Sequence, residues 1–114
     1  MSRMTIIERQ SGSVTILDLA GKLTSAECGG ALHGAVRTAI DQGKKRLLLN
    51  LAAVSHIDSS GIGELVSSYT TTVQSGGHFK LLNVTGMIHD VLSRTRMLAV
   101  FQTYSDERRA VESY

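Results

Sequence analysis

The residues whose types and spacing suit chemistry lie in one stretch, Asn50-Leu51-Ala52-Ala53-Val54-Ser55-His56-Ile57-Asp58-Ser59-Ser60-Gly61-Ile62-Gly63. A carboxylate, Asp58, precedes two hydroxyls, Ser59 and Ser60, and small glycines follow. The stretch sits between an apolar run at 46–51 and a segment whose apolar residues recur with helical spacing. In open α/β sheets, ligands and partners are met at such places, beyond the carboxyl ends of strands. Free amides at a helix N-terminus favour negative charge, so the fold would tolerate a phosphate on Ser59. That phosphate would add about −1.5 to −2 charges beside Asp58. Its effect would then fall on whatever binds this polar tip. The residue types alone leave a plainer reading open. Serine is a preferred N-cap, a role that suits Ser60 best, and Asp58 can serve as a turn residue bonding its own backbone. Gly61 and Gly63 are expected to permit close approach and a sharp turn. They form no phosphate cradle, because the lysine and glycine spacing of a P-loop are missing.

Other chemistries find little support. The serine pair lacks the G-x-S-x-G elbow of a hydrolase. His33 falls in a helical pattern, and His56, His78 and His89 show no metal-binding spacing. The single cysteine, Cys28, excludes an internal disulfide and a multi-cysteine metal site. No catalytic group, metal or cofactor is therefore expected. Basic residues are scattered, in short clusters at Lys44-Lys45-Arg46 and Arg108-Arg109, with a net charge of only +2. Aromatic residues make up 4%, too few for the stacking platforms of a nucleic-acid surface. Positions 1–10 carry no apolar signal core, and no run approaches the ~20 apolar residues of a membrane span. These features lead to the expectation of a cytoplasmic protein. With 114 residues, 42% hydrophobic and 19% charged, the chain is expected to form one globular domain over 1–114.

The elements that must position the polar tip are read from periodicity. Thr5 to Gln10 and Val14 to Ala20 alternate as two strands joined by Ser11-Gly12-Ser13, a hairpin signal. Gly21 is expected to end the second. Thr24-Ser25-Ala26-Glu27 has capping-box spacing, ahead of an apolar stripe at Cys28, Ala31, Leu32, Ala35, Val36, Ala39 and Ile40. A helix starting at Thr24 and ending near Gly43 follows, with Gly29, Gly30 and Gly34 weakening it. Arg46 to Leu51 reads as a central strand covered on both faces, and Ala52 to Asp58 as a loop. The next helix presents Ile62, Leu65, Val66, Tyr69 and Val73 on one face and stops at Ser75-Gly76-Gly77. Phe79 to Val84 is a further strand, completing a β-α-β unit. Thr85 caps a short helix with Ile88, Val91 and Leu92. Val100 to Tyr104 is a last strand, and Ser105-Asp106-Glu107 opens a terminal helix with acids in its first turn. The pattern is α/β, with about four to five strands and about four helices. The exposed edge strand at Thr5 to Gln10 allows a monomer or a weak dimer.

Taken with Asn50-Leu51, Val54, Ile57 and Leu65-Val66, the block Asp58-Ser59-Ser60-Gly61-Ile62-Gly63 resembles the signature of STAS-domain anti-sigma-factor antagonists, a bacterial family. Gly21-Lys22-Leu23, Gly77-His78-Phe79-Lys80-Leu81 and the leucine-bearing helix before Phe101 extend the resemblance along the chain. It implies a STAS-type mixed sheet packed with helices and a protein-binding role. In that family the unphosphorylated antagonist binds an anti-sigma factor that is also a serine/threonine kinase, which frees the sigma factor. The kinase phosphorylates the first serine after the aspartate, the complex dissociates, and a serine phosphatase resets it. On this chain the acceptor is Ser59, and the partner surface comprises Thr24, His56, Asp58, Ser59, Ser60, Gly61 and Ile62. Thr24 departs from the family pattern, where an acid often stands. It is read as a helix cap, with a second acceptor role as the alternative. A non-switching STAS scaffold in a lipid-transport or signalling complex is the competing function.

Overall fold

The computed structural model describes residues 4–114. Positions 1–3 of the domain expected over 1–114 lie outside the described residues. Five strands line up in chain order, β1 (Thr5–Ser11), β2 (Val14–Leu23), β3 (Arg46–Ile57), β4 (His78–Leu82) and β5 (Gln102–Tyr104). β1 and β2 form the antiparallel hairpin, turning at Gly12 with φ 60°. The remaining neighbours, β2–β3, β3–β4 and β4–β5, are parallel. Parallel neighbours need crossovers, supplied by α1 (Ala31–Asp41), α2 (Ser59–Gln74) and α3 (Gly86–Arg94). A 3-10 turn at Met97–Ala99 precedes β5, and α4 (Glu107–Glu112) closes the described chain. The mixed five-stranded sheet with four helices is the α/β architecture expected.

Strand periodicity divides the apolar residues between two faces. Leu17, Leu19, Leu47, Leu49, Leu51 and Leu81 join Leu32, Val36, Leu65, Ile88 and Leu92 in the main core under α1, α2 and α3. Val14, Ile16, Leu48 and Leu82 point the other way, to a smaller cluster closed by Ala110 of α4. The triplet Leu47-Leu48-Leu49 is wholly buried because both faces are covered.

Three expectations about element boundaries need correction. The first concerns the strands. Gly21 does not end β2, which runs on to Leu23, and 52–57 is no loop, because β3 continues to Ile57. The register steps from Asp18↔Asn50 to Ala20↔Ala53, then from Gly21↔Val54 to Lys22↔His56. Each step gives β3 one extra residue, the signature of a bulge, and Gly21 takes φ 110° there. The Asn50 side chain supports the first bulge. Its Oδ1 accepts from the Ala52 amide (3.1 Å) and from Asn83 Nδ2 (3.0 Å), while its Nδ2 donates to Asp18 Oδ1 (2.9 Å).

The second correction concerns the capping box. One helical turn does begin at Thr24, whose carbonyl accepts from the amides of Glu27 (3.2 Å) and Cys28 (2.7 Å). It is broken at Gly29 and Gly30, both left-handed (φ 52° and 87°), and α1 starts only at Ala31 with Gly30 as its N-cap. Left-handed φ is cheap for glycine, so the two glycines win over the cap signal. The third correction is the buried face of α2. Leu65 is buried and Ile62, Val66 and Tyr69 pack on the main core as expected, but Val73 is exposed, and the fully buried positions run through Gly61, Leu65, Ser68 and Thr72.

Candidate functional site

The β2–β3 ribbon projects past the ends of β4 and β5, since Asn50↔Leu82 is the last β3–β4 pair. At its tip the chain turns from Ile57 through Asp58 into α2. Asp58 is extended (φ −119°, ψ −174°) and is the N-cap, its Oδ1 accepting from the Gly61 amide at 2.9 Å. Its carbonyl accepts from the Ile62 amide (3.0 Å). Asp58 thus makes the bond to its own backbone that the sequence allowed. Ser60 does not cap the helix, a further correction. Ser59 and Ser60 are the first two helical residues, and both side chains are exposed.

Asp58 also joins the tip to the turn after β2. Its amide donates to the Leu23 carbonyl (3.4 Å), and its Oδ2 accepts from the Ser25 amide (3.4 Å). Gly61 sits beneath that same Leu23 carbonyl. A Cβ there would lie 1.9 Å from the Leu23 oxygen and 2.9 Å from Ile57 Cγ1. Close approach is therefore why Gly61 is glycine. Gly63 has nothing within 4 Å of such a Cβ, so the same expectation fails for it.

The structure brings most of the expected site residues to this tip. Thr24, half-buried, begins the turn that lies against Asp58. Ile62 is half-buried and packs on the main core. His56 is exposed, opposite Lys22 in the register, with Nδ1 2.9 Å from Ser55 Oγ. His33 lies away from the tip, its Nε2 2.9 Å from Thr71 Oγ1, between α1 and α2. Among the described residues no group of three His, Cys, Asp or Glu side chains is placed to hold a metal ion.

Sequence reasoning missed Glu64. From α2 it reaches the start of α1, where Oε1 accepts from the His33 amide (3.1 Å) and lies 3.4 Å from Cys28 Sγ. The signal available was Gly29-Gly30 ahead of the helical stripe: a helix started by glycine lacks a capping side chain and needs one from elsewhere.

An exposed hydroxyl pair on a capped helix, at the carboxyl edge of a mixed sheet, marks the tip of a small α/β domain. The chain belongs to the STAS domain family, whose pattern matches residues 5–110. Comparison with curated proteins gives no match. Among solved structures, an anti-sigma factor antagonist from Mycobacterium paratuberculosis superposes with a TM-score of 0.83 at 18% identity, covering 96% of this chain and 92% of that one. The anti-sigma factor antagonist SpoIIAA in its unphosphorylated form gives 0.71 at 20% identity, with 96% of each chain covered. The Bacillus cell fate determinant SpoIIAA in the phosphorylated form gives 0.71 at 19%, covering 96% of this chain and all (100%) of that one. At these identities the likeness speaks for the fold. Among the described residues no helix is long and apolar enough to cross a membrane.

Proposed function

We propose that this protein is an anti-sigma-factor antagonist that works by partner switching in the cytoplasm, as a non-enzymatic STAS domain spanning 1–114. The unphosphorylated form binds an anti-sigma factor that is a serine/threonine kinase and thereby releases the sigma factor. Phosphorylation at Ser59 abolishes binding, and a serine phosphatase restores it. The observation that carries this reading is the placement of Ser59. Its side chain is exposed at the first helical position, and the helix cap is supplied by Asp58 instead. Ser59 is thus free of a structural task and open to a kinase. SpoIIAA, of the same fold, has been solved both with and without a phosphate.

The docking surface comprises Thr24, His56, Asp58, Ser59, Ser60, Gly61 and Ile62, and binding needs no cofactor. A dianionic phosphate beside Asp58 repels an acceptor-rich partner and must be desolvated on docking. A hundredfold loss of affinity needs only about 2.7 kcal/mol. The test is retention from the native host by wild type, Ser59→Ala and Ser59→Asp baits, followed by phosphorylation of each with the purified kinase. Wild type and Ser59→Ala should retain the kinase, Ser59→Asp should lose it, and only wild type should take phosphate. Equal retention of transporter subunits by all three would instead identify a non-switching scaffold.

A further inference from the structure

Two carboxylates, one on the N-cap of α2 and one in the helix itself, hold the turn between β2 and α1 at its two ends. At the Thr24 end, Asp58 Oδ2 accepts from the Ser25 amide at 3.4 Å. At the other end, Glu64 Oε1 accepts from the His33 amide at 3.1 Å and meets Cys28 Sγ at 3.4 Å. His33 is the third residue of α1, so its amide is one of the orphan donors of a helix N-terminus. The helix cannot cap itself, because Gly30 at the N-cap has no side chain. Glu64 performs that task from a neighbouring helix. Its second oxygen, Oε2, would lie 4.0 Å from a Cβ on Gly30, which places the carboxylate beside the N-cap residue.

We infer that Glu64 is a positioning residue of the docking surface: by capping α1 from α2 and bonding Cys28, it fixes the Thr24–Gly30 turn against the Ser59 tip. The inference rests on the docking reading above, in which Thr24 contributes to the partner surface. Apart from these bonds, Cys28 is the turn's apolar anchor, only 4% exposed in the main core. The remaining residues of the turn are exposed or half-buried, and Gly29 and Gly30 supply flexible hinges. Such a segment can open locally while the sheet stays folded. Burial above all, with the adjacent Glu64 carboxylate, pushes the Cys28 thiol above its ordinary range. The closed turn therefore hides an unreactive thiol, and opening exposes a reactive one.

As the only cysteine, Cys28 reports on the turn without further engineering. The rate of its reaction with 5,5′-dithiobis(2-nitrobenzoate) should be measured at low urea for wild type, Glu64→Ala and Glu64→Gln. Glu64→Ala should react about tenfold faster, the effect of removing charge-assisted bonds worth about 1.4 kcal/mol. Glu64→Gln keeps an acceptor for the His33 amide and should return most of the protection. The urea dependence of labelling should be shallow, as for a local opening. Equal rates in wild type and Glu64→Ala overturn the inference, and so does a steep urea dependence matching global unfolding. This assay needs no partner, so its failure is separable from failure of the switch. With the kinase in hand, Glu64→Ala should bind more weakly and Glu64→Gln nearly as wild type. Faster labelling with unchanged kinase affinity would show that the turn lies outside the docking surface, and overturns the positioning role.

Discussion

At the scale of single residues, the two glycines after the serine pair look alike in sequence and differ in physics. Gly61 carries the Leu23 carbonyl where its Cβ would be, at 1.9 Å. A backbone atom cannot swing aside, so Gly61→Ala must push α2 off the β2–β3 tip. The expected cost is at least the about 1–3 kcal/mol of an overpacked core. Gly63 lies in the same helix with open space around it. There alanine gains helix propensity, and Gly63→Ala should stabilise by up to about 1 kcal/mol. Urea midpoints with unchanged slopes test both, and shifts of the same sign would sink the explanation. Asp58 belongs to the same scale. Its N-cap bond to Gly61 predicts a loss of about 0.5–2 kcal/mol for Asp58→Ala and less for Asp58→Asn, which keeps an acceptor.

Among the elements, β3 shows what the sequence concealed. Its first half, Leu47 to Leu49, reads as a buried strand from apolar content alone, and it is one. Its second half buries Leu51, Val54 and Ile57, a spacing of three rather than two. Two bulges explain this, because each adds a residue between inward-facing positions. No pattern search tuned to periods of 2 or 3.6 finds such a strand, so 52–58 reads as a loop. The capping box failed for a related reason. Thr24 and Glu27 have the right spacing, but two left-handed glycines five residues on decide where the helix starts. The site block itself, Asp58 to Gly63, was legible because its chemistry is local, a cap and a helix start. Glu64 was not, since its partners lie 31 and 36 residues earlier in the chain. The bulge yields its own prediction. Asn50→Leu strands the Ala52 amide and the Asn83 side chain, and should cost about 1–3 kcal/mol. Hydrogen exchange should quicken at Ala52 and along the tip before it does at Leu48. Uniform quickening throughout β3 would argue against a local role.

For the whole molecule, the two faces of the sheet divide labour. The main core fixes the site, while α4 closes the far face through polar bonds around a small apolar patch. Lys80, 7% exposed, donates to the Ser113 carbonyl and hydroxyl and lies 4.4 Å from the Tyr114 ring centroid. The Tyr114 hydroxyl donates to the Leu47 carbonyl. At the other end of α4, Arg9 of β1 bridges Asp18 of β2 and Glu107 of α4. The Arg9 hydrogen bond, aided by Asn50 and opposed by burial, holds the Asp18 carboxyl below its ordinary range. In the unfolded chain Asp18 takes up its proton near pH 3.9, whereas the folded chain resists it to lower pH. Between those values the unfolded state binds more protons, so stability rises with pH. The contribution is complete above the unfolded value and is lost as pH falls through the folded one. Asp18→Asn should therefore be less stable than wild type at pH 7, and the two should converge towards pH 3. Arg9 and Asp18 are partly exposed (41% and 28%), so about 1 M salt should narrow the gap at pH 7 by screening. Urea midpoints from pH 3 to 7 measure the difference directly. Parallel curves would mean that Asp18 stabilises through its shape alone. Convergence at low pH would make the Arg9–Asp18 pair, which ties the β1–β2 hairpin to α4 through Glu107, an acid-sensitive joint of the fold.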